Sequence, residues 1–311
     1  MKQNRREFLR TVTGAGSLLG LGLLSSAFKS EDDKHVRIVI LHTNDVHSHI
    51  DPFPDNDPKY PGLGGVERRA ALINQIRATE KNVLLLDAGD IFQGTPYFNM
   101  YGGELEMKLM TKMGYDASAI GNHDFDGGLD NFAKQMNHAK FPLLCANYDF
   151  TGTPMEGKTV PYSIFEKEGV KIGVFGLGIE LAGLVDSRLY GKTKYLDPIV
   201  KAAEMAHTLK EMKCDIVVCL SHLGYKYENE KVSDIILAKK SLGIDLIIGG
   251  HTHTFLDKPV ILKNREEKDV YITQVGWAGI RLGKITISTN KKTRKNTLES
   301  HSVIISKKSS V

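Results

Sequence analysis

Cysteine is scarce in this 311-residue chain, which has three such residues and no spacing pattern among them. Cys145, Cys214 and Cys219 lie in or beside apolar, strand-like runs. An odd, unpatterned count excludes a disulfide framework and argues against a thiolate metal site. The three thiols are therefore expected to pack as small core residues.

The body of the chain also lacks an excess of either charge. Residues 1–30 hold five basic residues and one acidic residue, which account for the whole net charge of +4 and leave 36 of each sign elsewhere. A nucleic-acid-binding surface needs clustered positive charge, so a nucleic-acid polymer is not an expected partner. The one basic cluster in the body begins at Lys291, and residues 291–311 are expected to form a solvated tail.

A long, strongly hydrophobic run is missing as well. The uncharged stretch 11–28 contains four glycines, whereas a transmembrane helix needs about 20 predominantly apolar residues. Arg5 and Arg6 precede the stretch, and this order resembles a twin-arginine export signal. Residues 1–30 are expected to direct export to the periplasm. The alternative is a membrane anchor formed by an uncleaved N-terminus.

From Val36 onward, short apolar runs alternate with segments of helical periodicity, such as Val66–Ile76 and Ile199–Leu209. This alternation predicts an α/β architecture with sheets covered by helices. The strand candidates are Val36–Leu41, Val83–Leu86, Ala117–Ile120, Leu143–Cys145, Val170–Phe175, Ile216–Leu220 and Leu246–Ile248. No repeat and no Pro- or Ser-rich linker interrupts residues 35–290, which are expected to form one domain.

Five of these strand candidates lead directly into a loop that carries metal-binding side chains. The loops contain, in chain order, Asp45 and His47; Asp90; Asn122 and His123; His222; and His251 and His253. Each loop alone could be an ordinary turn. Because ligands usually bind beyond the carboxyl ends of strands in open α/β sheets, the five together predict one common site.

The side chains of the five loops agree in chemistry, since they offer carboxylate, imidazole and amide oxygen but no thiolate. This set favours catalytic divalent ions, namely Mn, Zn, Fe or Mg. Two ions need a carboxylate shared between them, and Asp90 is the candidate. A pair of ions about 3.5–4 Å apart can clamp the attacking and leaving oxygens of an in-line displacement.

Taken together, the motifs resemble the calcineurin-like metallophosphoesterase signature. They are Asp45-x-His47, Gly89-Asp90, Gly121-Asn122-His123, Ser221-His222 and Gly250-His251-x-His253. Longer strings, Leu41–Asp45, Gly89–Pro96 and Gly121–Asp126, are similar to the N-terminal catalytic domain of secreted bacterial 5'-nucleotidases. The resemblance covers residues 36–288 and implies a four-layer α-β-β-α sandwich for the catalytic domain of residues 35–290.

The resemblance also implies a ligand set and an activity. One metal would take Asp45, His47, Asp90 and His253, and the other would take Asp90, Asn122, His222 and His251. The implied enzyme is a phosphoric monoester hydrolase that releases phosphate from nucleotides by in-line attack of a metal-activated water. A 2',3'-cyclic-nucleotide phosphodiesterase is an alternative.

Two departures from the family pattern bear on function. Ser48 stands where the family usually has glycine, which affects a turn and not a ligand. The chain also has no room for the second domain that holds the base in nucleotidases of this family. A catalytic subunit that works with a separately encoded specificity domain is therefore a further alternative. A non-catalytic metal-binding module is disfavoured by the complete ligand set.

His123 is expected to act on the substrate rather than on a metal, because Asn122 already supplies a ligand from the same loop and the two would contact the substrate together. A protonated imidazole there could stabilise transition-state charge or protonate the leaving group. Asp126 is expected to orient the His123 ring, with a plain turn or cap role as the alternative. His42 is expected to be buried under the site, His49 is left open, and Trp277 is expected to pack in the core.

Overall fold

The computed structural model describes residues 35–307. The proposed export signal, residues 1–30, lies outside the described residues and stays a prediction. Within the described part of the chain, every helix is too short or too polar to span a bilayer.

Two six-stranded sheets form the centre of the fold. In the first, the strand order is β14-β13-β1-β2-β3-β4. Its strands are β1 (His35–Thr43), β2 (Val83–Asp87), β3 (Ala117–Ala119), β4 (Leu143–Leu144), β13 (Arg281–Asn290) and β14 (Asn296–Ile304). Strands β1 to β4 run parallel to one another, whereas β13 and β14 pair antiparallel.

The second sheet has the order β11-β12-β10-β9-β7-β6. Its strands are β6 (Tyr162–Lys167), β7 (Val170–Leu177), β9 (Ile216–Ser221), β10 (Leu246–Gly249), β11 (Val260–Lys263) and β12 (Asp269–Thr273). The four central strands are parallel, and the two edge strands are antiparallel to their neighbours. A separate two-stranded ribbon pairs β5 (Tyr148–Asp149) with β8 (Lys194–Tyr195).

Helices cover the outer faces of both sheets. They are α1 (Val66–Thr79), α2 (Pro96–Tyr101), α3 (Glu104–Met113), α4 (Gly128–Gln135), α5 (Ser187–Tyr190), α6 (Pro198–Glu211) and α7 (Asp234–Lys240), with short 3-10 turns at His123–Phe125 and Met136–His138. Helices α1, α3 and α4 pack on the first sheet, and α6 and α7 pack on the second.

The central strands bury both faces, which is why they read as continuous apolar runs in the sequence. In β1, Val39 and Leu41 face the helices, while Ile38 and Ile40 face the second sheet. The expected α-β-β-α layering is thereby confirmed. The three cysteines are buried, as expected.

One expectation about the C-terminus is wrong. Residues 296–304 do not belong to a solvated tail, because they form strand β14 and pair with β13 along its whole length. The strand lies at a sheet edge, where one face stays polar. The basic residues that precede it in the sequence made the segment resemble a tail. Ile305, which comes directly after β14, is fully buried against the first sheet.

We expect Ile305→Ala to lower the free energy of unfolding by about 2–4 kcal/mol, because it leaves a cavity in the core. The neighbouring Ile304 is 49 % exposed, so Ile304→Ala should change it by less than about 0.5 kcal/mol. Urea denaturation of both variants measures the difference. Equal, small effects would mean that this segment is the solvated tail that its composition indicated.

Candidate metal centre

All five predicted loops meet at the carboxyl ends of parallel strands. The loops come after β1, β2 and β3 in the first sheet and after β9 and β10 in the second. Because the two sheets pack face to face, their strand ends form a single edge. The side chains of Asp45, His47, Asp90, Asn122 and His222 are buried there.

The first group of candidate ligands is Asp45, His47 and His253. The Nε2 atoms of the two histidines lie 3.0 Å apart. Oδ1 of Asp45 is 3.5 Å from Nε2 of His253 and 4.0 Å from Nε2 of His47. The three side chains therefore converge on a volume the size of one metal ion.

The second group is Asp90, His222 and His251, with Asn122 beside it. Oδ2 of Asp90 lies 3.0 Å from Nε2 of His222. Oδ1 of Asn122 lies 2.8 Å from Nδ1 of His251. Because Oδ2 of Asp90 is also 3.6 Å from Nε2 of His47, this carboxylate stands between the two groups.

The imidazole tautomers suit metal binding. Nδ1 of His222 lies 2.7 Å from the carbonyl oxygen of Ala88 and must donate to it, which leaves Nε2 facing the site, where it can bind an ion once its proton is displaced. That buried Nε2 has no hydrogen-bond partner among the described residues, although Asp90 is close. Nε2 of His222 and Oδ2 of Asp90 are thus close enough to bind one ion together. His47 is arranged in the same way, with Nδ1 at 3.2 Å from the carbonyl of Phe92.

The buried charges of the site also favour the binding of cations. Burial raises the pKa of Asp45 to about 8, and the nearby charge of Asp90 acts in the same direction. Burial lowers the pKa of His222, but the carboxylates of Asp90 and Asp45 outweigh it and raise this pKa to about 10. Two buried carboxylates thus hold a proton on His222, which a bound divalent ion would displace. The donor set fits such ions.

Most of the candidate ligands have a left-handed backbone. Positive φ angles occur at Asp45 (50°), His47 (50°), Asp90 (56°), His251 (70°) and His253 (50°). Asp and His tolerate this region better than most residues, but each such conformation costs of order 1–3 kcal/mol. The surrounding structure must therefore hold these loops in place.

Asp124 holds two of the loops together. Its Oδ1 accepts the backbone N–H groups of Ile91 and Phe92 at 2.9 and 3.2 Å, and its Oδ2 accepts that of Gly121 at 2.8 Å. This one buried carboxylate thus joins the loop of Asp90 to the loop of Asn122. Asp124 lies within the Gly121–Asp126 motif, but the sequence alone indicates no role for it.

Asn44 connects loops of the two sheets, and Gln274 connects two loops of the second sheet. Nδ2 of Asn44 donates to Oδ2 of Asp45 and to the carbonyl of Gly276, both at 2.6 Å. Gln274 donates to the carbonyl of Gly250 at 2.7 Å and accepts the N–H of Thr254. These bonds enclose the segment that contains His251 and His253. The sequence offered no signal for Gln274, because only the folded chain brings it under this loop.

His123 and Asp126 form the expected pair. Nδ1 of His123 lies 2.7 Å from Oδ2 of Asp126. The hydrogen bond that the His123 imidazole donates to Asp126 raises the pKa of His123, against the opposing effect of burial. The imidazole is 40 % exposed and makes an edge contact with His47, whose ring centroid is 5.2 Å away. His123 therefore lies at the rim of the site, outside both ligand groups.

Three further expectations concern aromatic rings. His42 is fully buried, as predicted. Trp277 is not a core residue, because its ring is partly exposed and stacks on the ring of His253 with centroids 5.5 Å apart. His49, whose role was left open, makes an edge contact with Trp277. Trp277 lies in the loop after β12, which ends at Thr273.

A four-layer α/β sandwich with two Asp–His groups at the strand ends defines a candidate binuclear metalloprotein. Residues 38–255 match the calcineurin-like phosphoesterase family. The chain belongs to that family, which confirms the resemblance inferred from the motifs.

Relatives of known name cover most of this chain. A snake venom 5'-nucleotidase of Gloydius brevicauda is 32 % identical over 275 residues, which are 82 % of this chain and 46 % of that protein. The 5'-nucleotidase of Vibrio parahaemolyticus is 34 % identical, with 90 % of this chain and 54 % of that protein covered. The chain thus spans about half the length of these relatives.

A solved structure shows the same arrangement. The 5'-nucleotidase precursor from Thermus thermophilus superimposes with a TM-score of 0.79 at 31 % identity, covering 87 % of this chain and 55 % of that one. The fold therefore agrees with that of a phosphoesterase relative.

We expect Asp124→Asn to weaken metal binding by about 10- to 100-fold, as loss of a hydrogen bond behind a ligand typically does. The amide cannot accept all three backbone N–H groups, so the loops of Asp90 and Asn122 lose their connection. Calorimetric titration with Mn²⁺ measures the change. Asp130→Asn, an exposed carboxylate of α4, is the control; equal affinities for the two variants would contradict the role of Asp124.

Proposed function

We propose that this chain is the catalytic domain of a metal-dependent phosphoric monoester hydrolase of the 5'-nucleotidase type. The observation that carries the proposal is the position of Asp90, which lies 3.0 Å from His222 in one ligand group and 3.6 Å from His47 in the other. The names of the relatives support nucleotides as substrates.

Each ligand group would hold one divalent ion. One ion would be bound by Asp45, His47, Asp90 and His253, and the other by Asp90, Asn122, His222 and His251. When bound, such a pair lowers the pKa of water for attack on phosphorus and neutralises charge on the phosphate oxygens. The protein supplies the shared carboxylate and excludes bulk water, since Asp45, Asp90 and His222 are almost fully buried.

His123 would act on the ester itself. Its Nδ1 is engaged by Asp126, so Nε2 remains for the substrate. With its pKa raised by that bond, the imidazolium can stabilise charge on the phosphoryl oxygens or deliver a proton to the leaving oxygen. Asn122, in the same loop, would contact a phosphate oxygen as well as a metal.

A second candidate is suggested by the length of the relatives. Because this chain spans about half of them, full activity would depend on a second nucleotidase domain as well. Hydrolysis of a 2',3'-cyclic nucleotide instead of the monoester is the other alternative. Its product is a nucleoside monophosphate and not free phosphate, so chromatography of the nucleotide products distinguishes the two reactions.

The purified chain with Mn²⁺ should release phosphate from adenosine monophosphate and from an aryl phosphate, and chelation should abolish the release. Asp90→Asn should lose metal and activity together, because both ions share this carboxylate. Asp87→Asn is the control, since Asp87 is equally buried but hydrogen-bonds Thr43, Ser118 and the N–H of Gly89. Wild-type turnover by Asp90→Asn with both metals bound would refute the bridge.

His123→Asn should keep both metals and lower kcat by about 10²- to 10⁴-fold. If His123 protonates the leaving group, the loss should shrink for esters with acidic leaving groups, which need no proton. Metal content and kcat are measured on the same preparation. Asp126→Asn should produce a smaller loss of the same kind. Loss of a metal from His123→Asn would instead make this residue a ligand.

A further inference from the structure

An aromatic cluster borders the metal centre on the side of His253. Its members, which we call the aromatic cluster, are His49, Phe53, Tyr60, Phe255 and Trp277. The ring of Trp277 lies nearly parallel to that of His253, at 4° and 5.5 Å between centroids. The cluster thus begins at a candidate metal ligand.

From Trp277 the rings continue outward without interruption. Trp277 contacts Tyr60 with centroids 6.1 Å apart, Phe53 contacts Tyr60 at 5.4 Å, and Tyr60 contacts Phe255 at 6.3 Å. His49 stacks on Phe53 at 5.0 Å. None of these five side chains is buried. A set of aromatic rings that only packed a core would be covered, whereas this one reaches from the metal centre to solvent.

Two cations lie at the outer end of the cluster. Nζ of Lys59 lies 5.1 Å from the ring centroid of Tyr60, and Cζ of Arg281 lies 4.9 Å from that of Phe255. Arg281 is also paired with Asp257 at 2.7 Å, so Lys59 is the cation that leaves positive charge beside these partly exposed rings. Such a surface suits a ligand that is both aromatic and anionic. A phosphate ester with an aromatic leaving group has that chemistry.

The backbone fixes the distance between the cluster and the metal centre. The N–H of Ala278 donates to the carbonyl of Asp45 at 2.7 Å, and the carbonyl of Gly276 accepts from Asn44 at 2.6 Å. Trp277 lies between these two bonds. Its ring is therefore held in place by hydrogen bonds to the same loop that carries a candidate ligand.

We propose that the aromatic cluster is a subsite that stacks the nucleobase of a phosphate ester whose phosphate lies at the metal centre. This proposal rests on the proposed function, because that function places the phosphate of the substrate at the metal centre. Because every base has a π face, stacking discriminates weakly among bases. The cluster should therefore favour nucleotides over aliphatic phosphates by about 10- to 100-fold while treating purines and pyrimidines alike.

The single tryptophan of the chain makes this subsite observable, since Trp277 is that residue. Adenosine and cytidine, which lack phosphate, should each quench the tryptophan fluorescence of the Mn²⁺-loaded protein in a saturable way, whereas glycerol should not. Tyr60→Leu, which keeps an apolar side chain without a π face, should weaken nucleoside binding by about tenfold. Tyr60→Phe should bind nucleosides as the wild type does.

Tyr101→Ala is the matched control. Tyr101 is exposed and stacks on Tyr97, and the described residues show no ring contact between it and the cluster. It should bind nucleosides with wild-type affinity. Saturable quenching that Tyr60→Leu and Tyr101→Ala weaken equally, or no quenching by either nucleoside, would overturn the proposal.

A kinetic ratio separates this proposal from the proposed function. The ratio of kcat/KM for adenosine monophosphate to that for glycerol 2-phosphate should fall by about tenfold in Tyr60→Leu. If neither ester is hydrolysed but nucleosides still bind in a Tyr60-dependent way, the proposed function fails and the subsite stands. If both esters are hydrolysed and Tyr60→Leu leaves the ratio unchanged, the subsite fails and the proposed function stands.

Discussion

The strained backbone of the ligand loops is the constraint on which the rest of the site depends. Five candidate ligands have positive φ angles, and each would relax if its loop were free. The loops are held because buried side chains accept or donate their backbone hydrogen bonds, as Asp124 and Gln274 do. Stability is thus used to keep the ligands in place before any ion binds, which is the usual relation between a rigid scaffold and a functional site.

Those buried side chains can act only because two sheets meet at one edge. The first sheet supplies Asp45, Asp90 and Asn122, and the second supplies the histidines at the ends of β9 and β10. Asn44 spans the two by bonding both Asp45 and the N–H of Val275. Each ligand group contains residues from both sheets. Any slip between the sheets would therefore pull each group apart, and the apolar layer between the sheets is what prevents it.

Features that depend on local pattern were predictable from the sequence, whereas features that depend on long-range contact were not. Strand ends and their metal-binding side chains lie within a few residues of each other, so the α/β class and the candidate ligands were readable. The role of Gln274 was not, because it lies 24 residues from its partner Gly250. Strand β14 was missed for a related reason: a half-exposed edge strand is stabilised by its neighbour β13 rather than by an apolar run.

The position of Trp277 connects the candidate metal centre with the proposed base subsite. The residue lies in a loop whose bonds to Asn44 and Asp45 also position the first ligand group. Its ring packs on that of His253, so any change at Trp277 would disturb the metal centre as well as the aromatic cluster. Tyr60 contacts Trp277 but no candidate ligand ring among the described residues. In the proposed subsite, the outer part of the cluster is therefore less constrained by the candidate ligands than the inner part.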